Sequence, residues 1–83
     1  MSGRKIVVVG GGSTYTPELV DGIARHDEVL GASELVLLDP DLPRLAVVGG
    51  LAQRMLDHAG WRGDLTQTSD AARAFDGADI VLF

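Results

Sequence analysis

The 83-residue sequence contains no cysteine, and aromatic residues make up only 5% of it. Without cysteine, neither disulfide bonds nor zinc–thiolate sites can stabilise the fold. A chain of this size buries only about 60% of the surface that its unfolded form exposes, so no more than one small domain fits. Hydrophobic residues make up 46% of the sequence and charged residues 23%. This composition is typical of a globular protein and excludes a disordered, collagen-like or disulfide-rich secreted chain.

Basic residues and long apolar runs are also scarce. Twelve acidic residues against seven basic ones give a net charge of −5, which argues against a nucleic-acid partner and against binding to an anionic membrane. The apolar run Ile6–Val9 is too short to span a bilayer and lacks the apolar core and cleavage site of a signal peptide. We therefore expect a cytoplasmic protein with neither a membrane nor a nucleic-acid partner.

Continuously apolar segments alternate with segments of helical periodicity. The runs Ile6–Val9 and Leu35–Leu38 are typical of strands buried on both faces of a parallel sheet. We predict strands at residues 5–9, 35–38, 64–68 and 78–83. We predict helices from a cap at Ser13 or Thr16 to His26 or Asp27, from Asp41 to Gly60, and from Ser69 or Asp70 to Phe75.

The long middle helix carries clear signals at both ends. Asp41 can cap its first turn, which contains Pro43, and Gly60 suits the left-handed residue that ends a helix. Gly49 and Gly50 interrupt its apolar stripe, where each glycine costs roughly 1 kcal/mol of helix stability. Close packing against the sheet would explain the two glycines.

Strands that alternate with helices form parallel sheets through right-handed crossovers. The expected fold class is α/β, a Rossmann-type parallel sheet that forms the first half of a doubly wound nucleotide-binding fold, with strand order 3-2-1-4. The complete fold adds two more strands, and an apolar last strand at Ile80–Phe83 would otherwise be an exposed edge. We therefore expect residues 1–83 to be an NAD(P)-binding domain, incomplete at its carboxyl end, of a longer protein.

A glycine turn follows the first strand, where dinucleotide-binding folds place their phosphate loop. Gly10 would allow the tight turn, and Gly12 would let the backbone approach a pyrophosphate at the amino end of the helix. The third glycine of the usual G-x-G-x-x-G pattern falls at Tyr15, so the match is incomplete. The alternative is an ordinary turn that uses glycine only for its backbone freedom.

Asp39 ends the second strand, where the adenosine ribose of a dinucleotide would lie. A carboxylate there accepts hydrogen bonds from both ribose hydroxyls and repels a 2′-phosphate, which favours NAD over NADP. Its separation from Gly12 exceeds the usual spacing of about 20 residues, and we expect a polar loop at residues 27–33 to absorb the excess. Alternatively, Asp39 only ends the strand. Arg44 is interpreted as a solvated residue near the adenine, or as a partner of a 2′-phosphate.

The remaining polar and aromatic candidates have structural explanations. His26 and His58 fall near carboxyl ends of helices, which favour a charged imidazole, and no second ligand is spaced to complete a metal site. Trp61 is predicted to cover a helix end. Asp76 and Asp79 flank a turn and are predicted to be solvated.

The string GGGSTYTPEL, from Gly10 to Leu19, resembles the amino terminus of the family 4 glycoside hydrolases, the NAD-dependent phosphoglycosidases. It is most similar to their 6-phospho-β-glucosidase branch. The stretches ELVLLDPD and SDAARAFDGADIVLF stand where that family carries its second strand and its fourth strand with the preceding helix. The resemblance covers nearly all 83 residues but only the cofactor half of family members, which are several times longer.

The resemblance implies that a longer protein hydrolyses 6-phospho-β-glucosides with NAD and a divalent metal, usually manganese. Oxidation at the 3-position of the sugar, elimination of the aglycone, addition of water and reduction would follow in that order. The resemblance places Gly10, Gly12, Ser13 and Thr14 around the phosphates and Asp39 at the ribose. The metal ligands and the base belong to later segments of the family, so we expect no catalytic and no metal-binding residue in this chain. It also implies a 6-phosphosugar substrate and a homo-oligomer.

Two alternatives stay open at this point. The chain could come from a relative that acts on α-glucosides, α-galactosides or glucuronides. It could also be the cofactor half of an NAD-dependent dehydrogenase of the malate or lactate type, which shares the strand order. Such dehydrogenases usually keep a small residue where Tyr15 stands, and this favours the glycosidase interpretation.

Overall fold

The computed structural model describes residues 3–83, in which strands and helices alternate. In chain order they are β1 (Arg4–Val9), α1 (Thr16–Arg25), α2 (Asp27–Leu30), β2 (Ala32–Leu38), α3 (Leu42–Ala59), β3 (Asp64–Thr68), α4 (Ala71–Phe75) and β4 (Ile80–Leu82). All strand pairs are parallel, and the strand order is β3-β2-β1-β4. The predicted fold class and topology are therefore confirmed. None of the helices in this part of the chain is long and apolar enough to cross a membrane.

The two central strands are apolar over Ile6–Val9 and Leu35–Leu38, where both of their faces are covered. In β1, Val7 pairs with Val36 of β2, and Val8 pairs with Leu37. Side chains alternate between the two faces along each strand. The larger core, on one face, includes Val8, Leu37 and the apolar stripes of α1 and α3, whereas Val7 and Val36 pack with Ala74 of α4 on the other face.

The region between α1 and β2 differs from the sequence prediction. The prediction of a polar loop at residues 27–33 is wrong, because Asp27–Leu30 forms a short helix and β2 already begins at Ala32. Gly31 joins the two with a φ of 58°, a left-handed conformation that glycine adopts without strain. The extra length between the glycine turn and Asp39 is therefore folded as a helical turn and a longer strand.

The last strand, β4, is shorter than predicted and is anchored at its beginning. The backbone N–H of Lys5 donates to the Asp79 carboxylate at 2.8 Å, and the N–H of Asp79 donates to the carbonyl of Lys5 at 2.9 Å. This pair of bonds fixes the chain at the entry to β4, where Ile80 pairs with Ile6 of β1. Asp79 is exposed, as predicted, but it also joins two strands.

The helix ends show which capping signals were decisive. Asp41 accepts from the N–H of Arg44 at 3.1 Å and caps α3, as predicted. Asp70, rather than Ser69, caps α4. The expected caps of α1 are wrong, because Tyr15 occupies the cap position and its side chain makes no capping bond.

The two glycines within α3 have different surroundings. Gly49 is buried, and a Cβ there would overlap the terminal amide of the Gln67 side chain in β3, which lies over this position. A Cβ on Gly50 would meet only Arg54 Nη1, at 3.8 Å. Close packing therefore explains Gly49 and does not explain Gly50.

Gly60 and Gly50 provide a matched test of backbone conformation. Gly60 ends α3 with a φ of 77°, so Gly60→Ala should lower the free energy of unfolding by roughly 1–2 kcal/mol, the strain of a left-handed alanine. Gly50→Ala makes the same chemical change inside the helix and should stabilise the protein by up to about 1 kcal/mol. Urea unfolding of both variants measures the two effects. Equal effects would contradict the assignment of Gly60 as the terminating residue.

Candidate functional site

The carboxyl ends of β1 and β2 meet at one edge of the sheet and bring the glycine turn beside Asp39. The N–H groups of Gly10 and Gly11 both donate to the carbonyl of Leu38, at 2.8 and 3.0 Å. Gly10 has a φ of 75°, which explains glycine at the first position of the turn. The loop after β1 is therefore fixed directly to the end of β2.

The Asp39 carboxylate is oriented by two backbone donors. Its Oδ2 accepts from the N–H of Gly12 and its Oδ1 accepts from the N–H of Asp41, both at 2.9 Å. Its own N–H donates to the carbonyl of Thr68 in β3 at 3.1 Å. The side chain is half-buried, and each carboxylate oxygen can accept further hydrogen bonds. The group is thus held in one orientation with remaining capacity for a ligand.

Ser13 and Thr14 complete the loop between the glycines and α1. The N–H of Ser13 donates to the carbonyl of Gly10 at 3.0 Å, and the carbonyl of Ser13 accepts from the N–H of Thr16 at 3.2 Å. Within residues 3–83, the N–H of Thr14 has no such partner. Thr14 is exposed. The loop therefore presents this amide to a ligand, while most of its neighbours already donate within the chain.

An apolar cleft of about 370 Å³ opens beside this loop, between the loop and the first two turns of α3. Its lining consists of Gly12, Thr14, Pro43, Arg44, Val47 and Val48. Val47 is 74% exposed, although it is a large hydrophobic residue. A slot with an aliphatic wall and a guanidinium at its rim suits a flat heteroaromatic ring such as adenine. Val47 was not among the predicted site residues, and the available signal was a valine outside the apolar stripe of the helix.

A second cleft, of about 360 Å³, is lined by Tyr15, Glu18, Leu19 and Phe83. Phe83 directly follows β4, so this cleft lies near the point where the strand order reverses between β1 and β4. Ligands of doubly wound sheets bind at such a point. The Tyr15 hydroxyl donates to the carbonyl of Val9 at 2.9 Å. Tyr15, in the place of the third glycine, therefore covers the end of β1.

The other candidates lie away from this edge. Nδ1 of His26 lies 2.8 Å from the carbonyl of Gly22 at the end of α1, and His58 lies in the last turn of α3. Trp61 is buried and its backbone N–H donates to the carbonyl of Leu56 at 3.0 Å, so it covers the end of α3 as predicted. No group of three or more potential metal ligands occurs among residues 3–83.

Comparisons with known proteins agree on one family. The family 4 glycosyl hydrolase profile matches residues 5–83. The chain is 43% identical over 79 residues to the 6-phospho-β-glucosidase of Escherichia coli (strain K12), covering 93% of this chain and 18% of that protein. It is 45% identical over 83 residues to the probable 6-phospho-β-glucosidase of Bacillus subtilis (strain 168), covering 95% of this chain and 18% of that protein.

A solved structure shows the same arrangement of strands and helices. The 6-phospho-β-glucosidase of Thermotoga maritima, determined with manganese, NAD+ and glucose-6-phosphate, superposes with a TM-score of 0.85 at 29% identity. The match covers 94% of this chain and 19% of that one. The chain thus spans less than a fifth of the length of these relatives. Because the family profile extends over almost the whole sequence, the chain belongs to the family 4 glycosyl hydrolases.

Proposed function

We propose that this chain is the NAD-binding part of a longer 6-phospho-β-glucosidase. The observation that carries the proposal is the Asp39 carboxylate, held by the N–H groups of Gly12 and Asp41 beside an apolar cleft. Family membership and 43–45% identity to 6-phospho-β-glucosidases support the choice of reaction. The α-glycosidase and dehydrogenase alternatives are not favoured by these relatives.

The residues at the sheet edge match the chemical groups of a dinucleotide. Asp39 would accept hydrogen bonds from the adenosine ribose, and Pro43 and Val47 would contact the adenine. The N–H of Thr14 is the available donor for the pyrophosphate, in the loop that also contains Gly10 and Ser13. Together these groups would fix the adenosine half of NAD and direct its other half toward the β1–β4 edge.

When bound, NAD supplies a hydride acceptor that later returns the hydride, which is the chemistry that the family resemblance implies. This chain's contribution is to bind and orient the dinucleotide. By the family resemblance, a divalent metal and the 6-phosphosugar would be held by other parts of the longer protein. A cytoplasmic location stays a prediction from the sequence, and a homo-oligomeric assembly stays a prediction from the resemblance.

The test is an assay of the longer protein on a chromogenic 6-phospho-β-glucoside after removal of bound cofactor and metal. We expect turnover only when NAD+ and Mn2+ are both restored, because oxidation of the sugar needs NAD+ and proton removal needs the metal. The isolated chain should hydrolyse nothing, since it supplies only cofactor contacts. The matching 6-phospho-α-glucoside is the control for substrate class. Turnover by stripped protein without NAD+ would refute the proposed reaction.

A further inference from the structure

Gly12 is buried against the ribose-binding edge and has no room for a side chain. A Cβ at this position would lie 2.9 Å from Asp39 Oδ2 and 3.3 Å from the backbone nitrogen of Leu45 in α3. Carbon and oxygen atoms that are not bonded do not approach to 2.9 Å without displacement. Because the Leu45 nitrogen belongs to a helix, the Asp39 carboxylate is the group that would move.

The backbone of Gly12 contacts that same carboxylate oxygen. Its N–H donates to Asp39 Oδ2 at 2.9 Å. The lack of a side chain at Gly12 leaves room for this oxygen, and the N–H binds it. An N–H that already donates to a carboxylate is not free to donate to a phosphate. The amide of Thr14 is the group in this loop that remains available for that purpose.

We infer that Gly12 is the positioning residue of Asp39 and thereby sets the preference of the site for NAD over NADP. The inference rests on the proposed function and assigns Gly12 a role different from close approach of the backbone to the pyrophosphate. With Gly12 in place, Asp39 is oriented toward the ribose by one N–H on each oxygen. With any larger residue, the carboxylate loses one of these donors and its orientation.

A double-mutant cycle separates the two roles of Gly12. The longer protein is prepared as wild type, Gly12→Ala, Asp39→Ala and the double variant, and the Kd of NAD and of NADP is measured for each by calorimetry. We expect Gly12→Ala to lower the ratio of the Kd of NADP to the Kd of NAD by roughly tenfold, which is the effect of losing one hydrogen bond to a charged group. In the Asp39→Ala background, the same change should alter this ratio by less than about twofold.

Other results would overturn the inference. If Gly12→Ala weakens NAD and NADP equally in the wild-type background, Gly12 acts at the phosphates instead. If it changes the ratio equally in both backgrounds, it does not act through Asp39. A wild-type protein that binds neither cofactor would overturn the proposed function and this inference together. Gly50→Ala, which adds a methyl group that would meet Arg54 Nη1 at 3.8 Å, should leave both affinities unchanged.

A second measurement decides the question even if Gly12→Ala does not fold. Hydrogen–deuterium exchange of the peptide that spans the glycine turn reports whether the Gly12 amide is protected in the wild type. Asp39→Ala removes its acceptor and should add about one rapidly exchanging amide to this peptide, while the amides bonded to Leu38 stay protected. Unchanged exchange in Asp39→Ala would show that the Gly12–Asp39 bond does not hold the carboxylate.

Discussion

Replacement of Asp39 by alanine is expected to weaken NAD binding by roughly 10- to 100-fold and to affect NADP much less. The net loss of one hydrogen bond to a carboxylate costs about 1.5–3 kcal/mol, and about 1.4 kcal/mol corresponds to a factor of ten in Kd, so the expected effect equals the net loss of one such bond. Loss of the carboxylate also removes its repulsion of a 2′-phosphate. The difference in affinity between NAD and NADP should therefore become smaller.

Titration of both cofactors against wild type and variant measures this effect. Asp57→Ala is the matched control, because it removes the same charge from an exposed position in α3, where the carboxylate accepts a hydrogen bond from the Gln53 side chain at 3.0 Å. It should leave both affinities unchanged. If Asp39→Ala retained the wild-type preference, Asp39 would serve only to join the strand to the turn.

The largest expected effect on stability comes from Leu35 in the centre of β2. Leu35 is 0% exposed, and it pairs with Ile6 on one side and with Leu65 on the other. Leu35→Ala leaves a cavity in the main core and should cost about 3–5 kcal/mol. A domain of this length has a total free energy of unfolding of roughly 4–12 kcal/mol, so the variant should lose a large share of its stability.

Chemical denaturation, followed by circular dichroism, tests this prediction. Val29→Ala is the control, because Val29 is an aliphatic residue of α2 that is 77% exposed. It should change the free energy of unfolding by less than about 0.5 kcal/mol. A similar cost for both variants would mean that the core does not depend on Leu35.

The topology was predictable because the sequence carries its strongest signals on the sheet and on the long helix. Strand segments buried on both faces are continuously apolar, so Ile6–Val9 of β1 and Leu35–Leu38 of β2 stand out without any alignment. Asp41 and Gly60 mark the ends of α3 by local chemistry alone. The start of α1 was not predictable in the same way, since Ser13 and Thr16 are equally good caps by residue type. The path of the turn excludes both from the cap position.

The sequence predicted that the glycine turn and Asp39 lie at the same sheet edge, but it did not predict the contacts between them. Gly10, Gly12 and Asp39 follow strands, and parallel strands bring their carboxyl ends to one edge. The bond between Gly12 and Asp39 depends on the register of β1 with β2, which no local pattern encodes. Val47 was missed for a different reason, because an exposed valine is ordinary on a helix until a cleft is seen beside it.

The position of Trp61 determines what can be learned from the fluorescence of this chain. It is the single tryptophan in the sequence, and its ring contacts Gly63 at the amino end of β3. Asp39 and the glycine turn lie at the opposite, carboxyl ends of the strands. Indole emission should therefore change when the core opens and stay constant when an adenosine group binds. Folding and adenosine binding can thus be followed by separate signals in the same sample.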